Sequence, residues 1–159
     1  MSRILGRSSL ILAAAAAVMA LAAPVSAAKP NRSFAPAGDI VISGICEFDV
    51  LVETVANNEY FTTFFDRSGN VTRSQVAGHL VQRVSRVGGD TSIVLNVSGP
   101  GRFVDGDEGL TVDTHGTWLL FFAGQLFTLS GHGVFLVADT ETIVSQHGHV
   151  VELCSILAA

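Results

Sequence analysis

Residues 46–53 read CEFDVLVE, and apolar and polar side chains largely alternate along them. A period of two places successive side chains on opposite faces of an extended strand. Cys46, Phe48, Val50 and Val52 form the apolar set, so they are expected to face the core. The segment therefore predicts a β-strand with one buried face and one face that is largely in contact with water.

The rest of the chain continues as short apolar runs separated by turn residues. Residues 66–70 read DRSGN and residues 88–90 read GGD, both of which are typical of hairpin connections. Residues 117–123 and 134–138 are apolar on both faces, which indicates strands that are covered on each side. No window of ten or more residues beyond residue 38 has a clear helical period, so the sequence predicts an all-β fold.

The number and spacing of these runs narrow the architecture. About eight or nine strands, with turn signals about every 8–12 residues, are typical of antiparallel sandwiches and barrels. We predict a single antiparallel β-barrel of about eight strands, with a β-sandwich as the alternative. An outer-membrane barrel is disfavoured because its lipid-facing wall needs aromatic girdles, and the chain has one Trp and one Tyr.

The N-terminal segment has the pattern of a secretory signal peptide. Arg3 and Arg7 precede an apolar run at residues 10–23, and Val25 and Ala27 supply small residues for cleavage. An uncleaved anchor is the alternative, but a stable membrane span needs about 20 apolar residues. We predict a signal peptide at residues 1–27, a flexible arm at 28–38 and a β-barrel domain at 39–159. The mature protein is then secreted to the extracellular side and leaves the membrane.

Cys46 and Cys154 are the only two cysteines of the chain and lie 108 positions apart. An exported protein meets an oxidising environment, so we expect these two residues to form a disulfide. Two free buried thiols are the alternative. Closing so long a loop stabilises the folded state by about 4 to 5 kcal/mol in the chain-entropy model, less any strain.

Composition and charge exclude several classes of protein. With 48% apolar and 14% charged residues, the chain is too apolar for a disordered protein. Its formal net charge of −5 at pH 7 repels the phosphates of nucleic acids and of anionic lipids alike. We therefore expect no nucleic-acid partner.

Four short motifs carry a resemblance to known proteins. Residues 46–50 read CEFDV, residues 96–101 read NVSGPG, residues 115–116 read HG, and Cys154 lies near the end of the chain. Together they resemble a group of uncharacterised secreted bacterial β-barrel-like proteins, over roughly residues 44–157. The resemblance implies an exported β-barrel-like domain and brings no catalytic residue with it.

Two histidines near the C-terminus have a spacing that is compatible with metal binding. His147 and His149 lie on the same face of a predicted strand, and Glu152 follows closely. A cupin-like site would use such a pair, but Glu152 is too close in sequence and alternation directs it to the opposite face. His132 or His115 could supply a third ligand, although nothing in the sequence places either residue nearby. We therefore expect solvent-facing histidines, no metal and no cofactor.

Catalytic motifs are also weak. The Gly-x-Ser-x-Gly pattern is absent, and Ser98 and Ser130 are predicted to be turn residues. The acidic residues between 105 and 113 could hold Ca²⁺ or act as a glycosidase pair, but their spacing matches no Ca²⁺ loop, and a solvated turn is predicted instead. The sequence identifies no catalytic residue and does not favour an enzyme.

Three functional hypotheses remain. In the first, the barrel binds a small apolar ligand. Its wall would include Phe48, Val50, Leu95, Val97, Leu120 and Phe122. In the second, the core is packed and the surface mediates cell-envelope or host contacts. In either case we expect a homodimer or a covering segment to bury the apolar run at residues 117–123. The third is a small-barrel cyclase or isomerase. The volume of the interior distinguishes the first hypothesis from the second.

Overall fold

A computed structural model describes residues 28–159, so the predicted signal peptide at residues 1–27 lies outside the described residues. The described elements are β1 (Asn31–Phe34), β2 (Ile40–Ile42), β3 (Val50–Phe65), β4 (Val71–Arg86), β5 (Ser92–Asn96), β6 (Gly101–Gly106), β7 (Gly109–Phe122), β8 (Gln125–Val137), β9 (Glu141–Glu152) and a short helix α1 (Cys154–Leu157). Among these residues, no helix has the length and apolar character needed to cross a membrane.

The strands form one antiparallel sheet, which confirms the predicted all-β class. The main path runs β1-β3-β4-β6-β7-β8-β9, while β2 pairs with β3 and β5 pairs with β4. The long strand β3 therefore has two short neighbours along one edge, with β2 at its start and β1 near its end. The strand β4 likewise has β6 and β5 along its other edge.

The sheet does not close, so the predicted barrel is not observed. Within the described chain, β9 pairs only with β8 and has no hydrogen-bonded ladder to β1 or β2. The chain instead turns into α1 after Leu153, whose backbone N–H donates to the Leu126 carbonyl at 3.0 Å. Leu153 and Leu157 are then fully buried against Val50 and Val52. Packing by α1 joins the two ends of the sheet where a barrel would use strand pairing.

The disulfide between Cys46 and Cys154 is confirmed. The two Cα atoms are 5.5 Å apart, within the usual range for a bridged pair. Cys46 lies in the bend before β3 and Cys154 begins α1, so the bond ties the first long strand to the segment after the last one.

A row of glycines crosses the last three strands. Gly116, Gly131 and Gly148 are direct neighbours in the registers of β7, β8 and β9. A Cβ atom on Gly131 would lie 2.1 Å from the His147 carbonyl oxygen, so only glycine fits this close approach. Glycine kinks of this kind introduce curvature into a sheet.

The interior contains two separate apolar clusters. The first lies near the disulfide and consists of Val50, Val52, Val84, Leu126, Leu153 and Leu157. The second lies between β7 and β8 and consists of Phe122, Phe127, Leu129 and Phe135. The interior is therefore divided, whereas the sequence prediction assumed one continuous lumen.

Local details differ from the predicted strands in two places. The strand β3 begins at Val50, so Cys46 and Phe48 lie in the preceding bend. It continues to Phe65, well beyond the alternating segment at residues 46–53. Residues 28–38 contain β1, which pairs with the second half of β3. This pairing is long-range, and the polar sequence around Pro30 and Pro36 gives no local signal for it.

Candidate functional site

A cavity of about 440 Å³ is bordered by strands of the sheet. Most of its wall is apolar, and β4, β6, β7 and β8 each contribute to it. The apolar lining residues are Leu80, Val97, Phe103, Val112, Trp118, Leu119, Leu120, Phe121, Phe122, Phe135 and Val137. The volume falls within the range of about 300 to 1,000 Å³ that is common for small-molecule sites.

Glu59 and Gln82 are the polar residues of this wall, and Glu59 is its one ionisable side chain in the described structure. Glu59 lies on β3 and is only 8% exposed. Burial raises the pKa of the Glu59 carboxyl, and the charge of His79 acts in the opposite direction. The cavity therefore combines an apolar wall with a carboxyl group that is shifted toward its protonated form.

The backbone around Glu59 is fixed by the segment after β1. The Glu59 N–H donates to Asn57 Oδ1 at 2.9 Å, and the Ala35 N–H donates to the Glu59 carbonyl at 3.0 Å. Asn57 completes the contact because its Nδ2 donates to the Ala35 carbonyl at 2.7 Å. The polar run at residues 57–59 thus anchors a neighbouring segment within a strand, although Asn is uncommon in strands.

Trp118 forms part of the cavity wall and rests on the glycines of the NVSGPG motif. A Cβ atom on either Gly99 or Gly101 would lie 2.4 Å from the indole ring. The indole Nε1 donates to the His115 carbonyl at 3.2 Å, and the ring packs against Phe103 with centroids 6.5 Å apart. The two glycines therefore make room for an aromatic side chain, a role that the motif alone did not indicate.

The structure divides the six predicted wall residues into two groups. Val97, Leu120 and Phe122 line the cavity. Phe48, Val50 and Leu95 instead pack in the cluster near the disulfide. The prediction assumed that all inward positions share one lumen. In the structure, Leu153 and Leu157 of the α1 region pack on the second group. Ligand binding by the first group stays a prediction.

The apolar run at residues 117–123, for which a homodimer or a covering segment was predicted, is only partly covered. Phe122 is buried in the core, while the next residue toward the N-terminus, Phe121, is 51% exposed and lies at the cavity wall. One part of this run therefore packs in the core, and another part lies exposed at the cavity wall.

A second group of polar side chains lies away from the cavity, on β7 and β8. His115 and His132 are direct cross-strand partners, and their rings stack with centroids 4.5 Å apart. Asp113 lies two residues before His115, and its Oδ1 is 2.9 Å from His132 Nε2 and 3.4 Å from His115 Nε2. Nitrogen and oxygen atoms of this kind can act as metal ligands.

The grouping differs from the histidine pair that the sequence suggested. From the sequence, His132 or His115 is expected only as a third ligand for His147 and His149. The structure places His147 beside His132 in the register of β9, but the donor atoms that converge are those of His115, His132 and Asp113. Cross-strand register brings these three residues together, and it cannot be read from local spacing.

Glu152, the other residue of the proposed cupin-like pattern, has a structural role. Its carboxylate accepts hydrogen bonds from the backbone N–H groups of Cys154 at 2.6 Å and Ser155 at 2.9 Å. Hydrogen bonds from Ser155, together with the one from Cys154, lower the pKa of the Glu152 carboxyl. This side chain therefore satisfies the free N–H groups at the start of α1.

Comparison of the chain with protein families, with curated proteins and with solved structures gives no match in any of the three. The resemblance to uncharacterised secreted bacterial β-barrel-like proteins therefore stays a prediction.

Proposed function

We propose that the protein is a secreted, disulfide-bonded β-domain that binds a small, largely apolar molecule. The observation that carries this proposal is the cavity of about 440 Å³ with Glu59 buried in its apolar wall. Ligand sites commonly combine apolar walls with a few polar groups that fix the orientation of the ligand.

The wall chemistry limits the class of ligand. Aromatic rings of Phe103, Trp118 and Phe135 supply large apolar contact areas, which favour an aromatic or alicyclic molecule. The Glu59 carboxyl is the ionisable polar group of this wall, and it can exchange a hydrogen bond with a ligand. A ligand with one hydroxyl or amine group at the position of Glu59 meets both requirements.

Secretion is part of the proposal and has separate support. A disulfide forms and persists in an oxidising compartment, and Cys46 and Cys154 are paired. The pattern of residues 1–27 has the charge, length and cleavage residues of a signal peptide.

Fluorescence titration with N-phenyl-1-naphthylamine, an aromatic amine, tests the proposal. We expect saturable binding at one probe per chain. Leu120→Trp should abolish this binding because the larger side chain occupies the cavity volume. The matched control is Val94→Trp on β5, where the side chain is 58% exposed and does not line the cavity.

Circular dichroism of both variants establishes that the fold is retained. Binding that is equally strong in the two tryptophan variants would place the probe outside the cavity. No saturable binding to the wild-type protein would also overturn the proposal.

A further inference from the structure

The side chains of Asp113, His115 and His132 lie on the face of the sheet that is opposite the core. Thr114, between Asp113 and His115, is fully buried, so alternation directs its two neighbours outward. His132 follows on the same face because it is the direct partner of His115. None of the three lines the apolar cavity, so the group is independent of the proposed ligand site.

The distances between the donor atoms are close to those of a zinc site. Zinc binds His nitrogen and carboxylate oxygen at about 2.0 to 2.2 Å, so neighbouring ligand atoms in a tetrahedral site are roughly 3.3 to 3.6 Å apart. The separations from Asp113 Oδ1 are 2.9 Å to His132 and 3.4 Å to His115, and all three donor atoms lie within 4.8 Å of one another. Side-chain rotations that tilt the two stacked imidazoles toward each other would place the three donor atoms around one ion.

The backbone that carries these ligands is held on both sides. The His115 N–H donates to the Pro100 carbonyl at 2.9 Å, and the His115 carbonyl accepts from Trp118 Nε1 at 3.2 Å. Thr114 Oγ1 donates to the Gly133 carbonyl on β8 at 3.2 Å, which fixes the register next to His132. Ligands placed on paired strands are positioned more accurately than ligands on loops.

The donor atoms of these three side chains favour one type of metal ion. Two imidazoles and one carboxylate suit Zn²⁺ better than Ca²⁺ or Mg²⁺, which take mainly oxygen ligands. Arg102 is the direct partner of Asp113 on β6 and would repel a cation, but its side chain is exposed, and within the described chain no ion pair joins it to Asp113.

We propose that Asp113, His115 and His132 form a Zn²⁺ site on the outer face of the sheet. Three protein ligands leave the fourth tetrahedral position to water, since the site is open to solvent. The carboxylate that now accepts from His132 would then ligate the ion directly.

Isothermal titration of the untagged protein with zinc chloride tests the site. We expect one Zn²⁺ per chain, and a Kd that is at least about 10-fold weaker in Asp113→Asn. The double variant His115→Ala/His132→Ala should lose the binding. The matched control, His147→Ala/His149→Ala, removes the same number of histidines from the neighbouring strand and should retain it.

A reversed pattern, with binding lost in the β9 double variant and kept in the β7–β8 variant, would assign the ion to His147 and His149 and overturn the proposal. Binding only at millimolar zinc, with no difference between the variants, would equally overturn it. A rise in the melting temperature with zinc, present in the control and absent in His115→Ala/His132→Ala, provides an independent readout that the proposed site is occupied.

Discussion

The two apolar regions of the sheet are filled differently. In the packed region near the disulfide, Leu153 and Leu157 from the α1 region fill the space against Val50 and Val52. In the cavity region, no such segment enters among residues 28–159, and a cavity of about 440 Å³ remains between the aromatic side chains. Leu126 and Phe127 are consecutive on β8 and belong to the two different clusters, so a separate short helix decides which apolar face is packed.

Removal of the disulfide should have the largest effect on stability, because it releases α1 from the packed region. We expect Cys46→Ala and Cys154→Ala each to lower the free energy of unfolding by about 4 kcal/mol, since the bond closes a loop of 108 positions. The double variant should cost about as much as either single one, because both remove the same bond. Urea unfolding measures these values, and a loss below about 1 kcal/mol would show that α1 docks without the bond.

A pair of leucine truncations compares the packed region with the cavity region directly. Leu157→Ala should cost about 2 to 5 kcal/mol because the side chain is fully buried and leaves a new cavity. Leu120→Ala should cost less than about 2 kcal/mol because its side chain already borders open volume. Urea unfolding measures the loss of stability in both variants. Equal losses would mean that the packed region and the cavity region are packed alike.

The smallest expected effect concerns Glu59 and its dependence on pH. Burial raises the pKa of Glu59 in the folded chain above the ordinary value of 4.5, so the folded state holds the proton more tightly than the unfolded state. The free energy of unfolding therefore falls as the pH rises from 4.5 through the folded-state pKa. Glu59→Gln removes this contribution.

Thermal or urea unfolding across this range checks the expectation. The stability of Glu59→Gln relative to the wild-type protein should increase with pH, and the difference should level off once the wild-type carboxyl is ionised. Parallel stability profiles of the two proteins would contradict the burial of an ionisable group in the cavity wall.

Local sequence patterns predict part of this molecule well. Turn residues at 66–70 and 88–90 locate real hairpin connections, and two cysteines in a chain of this type predict the observed bond. The class of fold follows from the same signals, because a period of two and glycine-containing turns act over only a few residues.

Features that depend on distant residues were missed. The helix α1 is four residues long, which is too short to give a helical period, yet it decides that the sheet stays open and that Phe48, Val50 and Leu95 are packed. Glu59 lies in a polar run that favours a loop, and only pairing with β1 and β4 shows that it is buried in a strand. The grouping of His115 with His132 likewise requires the register between β7 and β8.

In the described sheet β9 is an edge strand, and the free backbone groups of an edge can recruit a strand from another molecule and start aggregation. Two irregularities lie in this strand: Gly148 has a φ of 125°, a conformation that side-chain-bearing residues rarely adopt, and the register with β8 shifts between Val134 and Phe135. Irregularities of this kind make an edge a poorer template for another strand. The backbone features that shape β9 thus also reduce the tendency of the protein to add further strands at its own edge.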